Sequence, residues 1–427
     1  MEQLKELFRT RRLSEKSPPV PSQKDIALFK SSPKQFVCVE LLQEGNHKAF
    51  SELISLLSSD HGRRAAVKPG SARLEAPPLE EQRDKLEAIG LHLGRAELAE
   101  RTGSWTAACE QRLLLGRYFS AQRDFWLSLY FYHSCADRER GGRSKPATEA
   151  RGYLSELYLQ QGDLKRARQQ AELFLKQAEE GGWLDSDGRP LRLWASRRLG
   201  KIYTLLGEAL LADRDYDSAA ALLHQGYDMA KQCEDRSMEG EVTFRLGLTS
   251  RSSGDQEAAR QFFNSCIQIY SSLQDANKLV QTYKAMAKSS ERWAQRHARL
   301  RFAFRSVFQR PRAAPFVLFV VFDSEGNIHE TLRLLQKSAD VCRSSKLQDK
   351  LADVCLYLGN IYYDMNQHLK ACEYFLRAYK EACEAGDMAL QLEAQVMVGR
   401  TCALFLIWKH RSDMDSASTA SVKRLVG

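Results

Sequence analysis

Residues Leu358–Ala382, LGNIYYDMNQHLKACEYFLRAYKEA, hold a small residue (Gly359), a turn (Asn366-Gln367) and a second small residue, Ala371, followed four positions on by Phe375. The stretch reads as two amphipathic helices joined by a tight turn, with the small residues where the helix axes must approach to roughly 8 to 10 Å. The phrase recurs along the chain. It appears as Gly162-Asp163-Leu164 with Ala167, Arg214-Asp215-Tyr216 with Ala219, Gly254-Asp255-Gln256 with Ala259, and Gly326-Asn327-Ile328 with Thr331. Seven residues before four of the five turns stands Ser155, Gly207, Gly247 or Gly359, each preceded by leucine.

The five turns are 52, 40, 72 and 40 residues apart, so the period is 40. The excess in the first interval matches WLDSDGRPLRLW (183–194), whose Asp-Gly and Pro predict an ordered turn before a long helix. The excess of 32 in the third falls between Ser290 and Gly326. Helix-turn-helix units repeated at a fixed period cannot bury their apolar faces alone and must stack.

Leu358–Ala382 and Leu206–Ala230 (LGEALLADRDYDSAAALLHQGYDMA) resemble tetratricopeptide repeats, with their L-G-x2-Y…A-x3-F…A pattern. The resemblance implies an all-α fold, a right-handed superhelical solenoid with an N-terminal helical extension. The expected organisation is a flexible tail (1–35), an N-terminal helix (36–59), a linker (60–78) and degenerate helical repeats (79–145). Tetratricopeptide repeats follow at 146–289, then a basic insertion expected to be disordered or non-native (290–323), further repeats (324–407) and a C-terminal tail (408–427).

The non-repeat segments VCVELLQEGNHKAFSELISLL (37–57), PLEEQRDKLEAIGLHLGRAELAER (78–101) and GGWLDSDGRPLRLWASRRLGKIY (181–203) resemble, in order, an axonemal tetratricopeptide-repeat family of motile cilia and sperm flagella. That resemblance implies a non-catalytic scaffold in the cytoplasm and cytoskeleton, at the ciliary or flagellar axoneme, associated with inner-arm dynein and needed for motility. It also implies a tetratricopeptide partner carrying a MYND zinc finger. The alternative is an adaptor linking cargo to intraflagellar transport trains.

Composition agrees with a helical chain: of 427 residues 43% are hydrophobic, while Gly and Pro number only 25 and 11. The net charge is +9, of which the segment 290–322, with seven Arg and one Glu, carries +6. A nucleic-acid role for its interleaved Arg and Phe is not expected. No apolar run is read as approaching the roughly 20 residues of a bilayer span; the longest is Ala313–Phe322, an aggregation-prone strand if exposed. The ten cysteines lack C-x-x-C spacing and read as reduced core residues. Phosphate-loop, nucleophile-elbow and zinc-protease signatures are absent from the sequence, and neither catalysis nor a cofactor or metal is expected.

In stacked helix pairs the first helix of each pair makes the concave surface. Counting back from the turns puts Glu149, Glu156, Lys201, Glu208, Arg245, Arg251, Asp353, Asn360 and Tyr363 there as candidate protein-binding residues. The expected surface is acidic at both ends and basic in the middle, with Arg245 and Arg251 facing solvent. Of the Lys/Asn/Arg clamp by which related repeats hold acidic C-termini, only Asn360 matches. Gly359 is expected at a close helix contact, and Gly141 in a tolerant loop.

Overall fold

A computed structural model describes residues 32–66, 77–121, 124–138, 140–289 and 314–426. Side chains of 314–327, 408 and 411–426 are outside the description. The chain divides into two compact units, Met1–Ala195 and Ser196–Gly427. The described residues are helical apart from turns and one isolated β-bridge, Leu184 with Pro190.

The first unit holds α1 (Pro33–Gln43), α2 (His47–Ala65), a 3-10 turn at Leu79–Glu81, α3 (Arg83–Arg101), α4 (Trp105–Ala121), α5 (Phe125–Ala136), α6 (Lys145–Gln160) and α7 (Leu164–Gly181). The single helix expected over 36–59 is two helices, because Gly45 adopts φ +73° and reverses the chain between them. The second of these runs to Ala65, into the expected linker. Both helices bury apolar faces in the unit: Val37, Leu41, Leu53 and Leu57 share a core with Leu86, Leu93, Phe119 and Phe131. Residues 183–190 form the ordered turn expected from Asp-Gly and Pro. The backbone N–H groups of Asp187 and Arg189 each donate to the Asp185 carboxylate at 2.8 Å, and α8 (Leu191–Ala212) follows, with the boundary between units falling inside it.

The rest of the second unit is α9 (Tyr216–Gln232), α10 (Arg236–Ser253), α11 (Gln256–Ser272), α12 (276–289), α13 (Ala314–Ser344), α14 (Gln348–Asp364), α15 (His368–Ala385) and α16 (Met388–Val426). One residue in the left-handed region stands two positions before seven of these eight helices: Arg214, Glu234, Gly254 and Gln274 at steps of 20, then Lys346, Asn366 and Gly386 at the same step. An aspartate often follows as N-cap. Asp215, Asp235 and Asp255 accept the backbone N–H three residues on, at 3.2, 3.0 and 3.0 Å, satisfying a donor the helix leaves unpaired. Four of these seven turns, those between repeats at 234, 274, 346 and 386, are additional to the turns expected from the sequence.

The turn expected at Gly326-Asn327 is absent, since α13 passes through both residues unbroken. The preceding residues PFVLFVVF continue the helix instead of forming a strand, and Pro315 occupies its first turn, where a missing N–H costs nothing. Residues 408–426, expected as a tail, continue α16 as helix. The expectations for 1–31 and 290–313 lie outside the described residues.

The small residues mark the closest approaches. A Cβ added to Gly359 would lie 2.5 Å from the Phe375 ring, one on Gly247 2.7 Å from Phe263, and one on Gly207 2.7 Å from Leu223. The three bulky partners are fully buried. Gly141 is not tolerant: its φ is +82° and an added Cβ would sit 3.0 Å from the Cys109 sulfur and 3.1 Å from the Trp105 carbonyl oxygen. Gly359→Val should therefore lower unfolding free energy by about 1 to 3 kcal/mol, with Phe375 forced off its rotamer. Gly399→Ala, at a helical glycine with nothing within 4 Å, should leave stability unchanged or slightly raised. Urea titration of both variants decides; equal losses would refute the close-contact assignment.

Candidate protein-docking face

The first helices of successive pairs are tied to one another by polar rungs. In the second unit Arg245 on α10 reaches back to Glu208 on α8 and along its own helix to Glu241, which Lys278 on α12 meets at 3.5 Å. Lys284 on α12 pairs with Asp353 on α14. The Arg400 guanidinium on α16 lies 5.0 Å over the Tyr363 ring of α14, whose edge meets His368 at 5.8 Å. In the first unit Arg117 on α4 pairs with Glu149 on α6 at 2.7 Å.

The candidate residues thus sit on first helices, but they do not gather into one site. Glu149 and Glu156 lie on α6 of the first unit, while Lys201, Glu208, Arg245, Arg251, Asp353, Asn360 and Tyr363 are spread over α8, α10 and α14 of the second. Arg245 and Arg251 are not solvent-facing as expected: both are half-buried, and the Arg245 side chain keeps only 21% of its exposure. Two carboxylates surround it, so the expected basic middle is neutralised locally. Lys201 alone of the nine is exposed; Asp353, Asn360 and Tyr363 are half-buried.

Sequence reasoning passed over the polar anchor of the N-terminal helices. Arg112 on α4 is buried, and its guanidinium donates to both oxygens of Glu52 on α2, at 2.7 and 2.8 Å. Tyr130 on α5 donates to the same carboxylate at 3.0 Å, and burial with Glu52 beside it pushes the phenol up to about 12. Glu100 on α3 joins through Arg138 at 2.6 Å. Nothing local announces this network, whose members come from four helices. Beside it opens a cleft of about 690 Å³, floored by Phe125, Trp126 and Tyr130 and rimmed by Arg63, Lys85 and Asp124. Arg63 lies 4.9 Å over the Trp126 ring, and Lys85 pairs with Asp124.

Among the described residues no group of three or more His, Cys, Asp or Glu could hold a metal ion. Six cysteines are buried in helix packing, and burial pushes the Cys266 thiol up, away from reactivity. Met388–Ile407, 20 residues with mean hydropathy 1.3, is long and apolar enough by length and composition to cross a membrane, contrary to the expectation from the sequence. It contains Glu393 and Arg400, and it packs Ala394 and Thr401 against its neighbours as a member of the helix stack.

A family model of the tetratricopeptide repeat matches residues 241–273 and 352–382. The chain is 28% identical over 408 residues to "Tetratricopeptide repeat protein 29" of Homo sapiens, covering 95% of this chain and 79% of that one, and equally to the Macaca fascicularis protein. To the Rattus norvegicus protein it is 34% identical over 55% of this chain and 50% of that one. Among solved structures, "Podosopora anserina putative kinesin light chain nearly identical TPR-like repeats" aligns over 56% of this chain and 96% of its own, at 13% identity and TM-score 0.34. The apo form of RapI aligns over 69% and 97%, at 10% identity and TM-score 0.36.

Reversing the charge in Arg245→Glu places a third carboxylate between Glu208 and Glu241 and should cost about 2 kcal/mol of stability, the scale of a lost charged hydrogen bond. Arg112→Met leaves Glu52 without its buried partner and should cost about 3 to 5 kcal/mol, unfolding the first unit before the second. Thermal melts read by circular dichroism check both; a neutral Arg112→Met would dissolve the anchoring role.

Proposed function

We propose that this tetratricopeptide-repeat protein is a non-catalytic scaffold of the ciliary or flagellar axoneme, in the cytoplasm and cytoskeleton, working with the inner-arm dynein machinery in flagellar motility. Tetratricopeptide repeats form a protein-interaction family, and its members are typically scaffolds without catalysis. The observation that carries the finer reading is the similarity to tetratricopeptide repeat protein 29 along 95% of the chain. That stretch includes the N-terminal block as well as the repeats, and the block is part of the packed core of the first unit. The resemblance of those segments to the axonemal family brings with it inner-arm dynein components and the MYND zinc-finger partner as candidates.

The first-helix face offers itself as the docking surface. Its ion pairs are largely spent on one another, so partner contact falls chiefly to the exposed Lys201 and the half-buried Asn360 and Tyr363. An interface concentrates its binding energy in a few such residues, especially aromatic ones.

The experiment is a capture of axonemal extract on the full-length chain, wild type against Lys201→Glu with Tyr363→Ala, after both melt at the same temperature. Inner-arm dynein subunits should be retained by wild type and weakened about tenfold by the double change. Retention of intraflagellar-transport subunits without dynein would replace the scaffold by a transport adaptor. Equal retention by the two proteins would remove these residues from the interface.

A further inference from the structure

In the second unit three glycines, Gly207, Gly247 and Gly359, each form a notch met by the side chain sixteen positions on, while Gly399 at the same register meets nothing. On α14 the stripe Ala352, Leu356 and Gly359 is buried under α15, which puts Phe375 against Gly359. Forty residues on, α16 repeats the stripe as Leu392, Val396 and Gly399 and extends it through Leu406. There Leu392 is 57% exposed, Val396 68% and Leu406 63%, and a Cβ on Gly399 would meet nothing within 4 Å. The opposite side of α16 is seated like any first helix, with Ala394 and Thr401 buried and Leu390, Met397 and Val398 packed against the core. So α16 has its neighbour on one side, and among the described residues nothing covers the side where a second helix belongs.

The filled notches specify what fits. The residue sixteen positions after each notch glycine is Leu223, Phe263 or Phe375, each fully buried, and four positions before it stands Ala219, Ala259 or Ala371, also fully buried. The small residue lets the second helix approach, and the bulky one fills the space that glycine leaves. The same count from Gly399 reaches Asp415, with Arg411 four before it, on a helix that runs unbroken to Val426. Neither residue can supply the missing side chains. The surface therefore continues an interface that the second unit has already built three times, with the complementary helix left unsupplied at this register.

We propose that α16 is the acceptor for an amphipathic helix of a partner protein, a helix bearing a small residue followed four positions later by Phe or Leu. It docks antiparallel on Leu392, Val396, Gly399 and Leu406, with its bulky side chain in the Gly399 notch, as α15 docks on α14. This inference stands apart from the dynein reading, since it names the chemistry of the bound segment and a different surface.

The probe is a fluorescein-labelled synthetic peptide of residues 366–386, the chain's own second-helix sequence, titrated with the full-length protein and followed by anisotropy. Wild type should bind it saturably. Phe375→Ala in the peptide, or Gly399→Leu in the protein, should weaken binding about tenfold or more by emptying or filling the notch. Gly399→Leu should not lower the melting temperature, because leucine is the better helix former at a position with open space. No binding, or equal binding to Gly399→Leu, overturns the proposal. Three other results also overturn it by giving the face another occupant. One is a wild-type dimer in sedimentation that Gly399→Leu makes monomeric. Another is peptide binding that appears only after deletion of 290–313, whose Ala298 and Phe302 carry the same spacing. The third is vesicle binding that Leu392→Glu abolishes, with no peptide bound.

Discussion

The close approach of two helices at a glycine, filled from across by one aromatic or leucine side chain, is the contact on which the repeat stack depends. At Gly207, Gly247 and Gly359 an added Cβ would stand 2.5 to 2.7 Å from the partner side chain, well inside ordinary contact. Something must shift to accommodate that, and it does so at a cost because interiors are packed nearly as densely as crystals. The consequence is a fixed distance and crossing between the two helices of a pair. Once the pair is fixed, the first helix of the next pair inherits its position through the turn, with a left-handed residue and an aspartate N-cap setting the chain's exit.

A second layer of interactions follows from that spacing. First helices held side by side bring charged positions of neighbouring repeats within reach, and Glu208, Arg245, Glu241 and Lys278 form a run across three of them. Half-exposed pairs of this kind contribute little individually. Their importance is in what they consume: a face that carries many charges in sequence presents few unpaired ones to a partner. The charge that this face presents to solvent is therefore set by accessible groups such as Lys201.

The first unit is organised differently. Its N-terminal helices belong to no repeat, yet Leu41, Leu53 and Leu57 complete the same core as Phe119 and Phe131, and Arg112 grips Glu52 from within the helices that follow. A buried guanidinium bonded to both carboxylate oxygens is directional, so it specifies which way α2 lies as well as holding it. The aromatic cleft beside it exists because Phe125 and Trp126 begin a helix at the edge of that arrangement.

The amino-acid sequence by itself determined the helical class, the 40-residue unit and the glycine notches, because these are local: helical periodicity, turn residues and small-to-bulky spacing all fall within about 25 residues. It also determined that an ordered turn precedes α8, through Asp185, Gly188 and Pro190. Only the tertiary structure decided what became of the charges. Arg245 looks free on a helical wheel and is half-buried between two carboxylates, one of them 37 residues away. Only the structure, likewise, removed the turn at Gly326, since a glycine and an asparagine signal a break yet tolerate a helix when an apolar run extends it from before. Gly399 shows both sides of the division. Its register is written in the sequence, whereas the emptiness of its notch depends on which helix reaches that surface in three dimensions, and no local pattern encodes that.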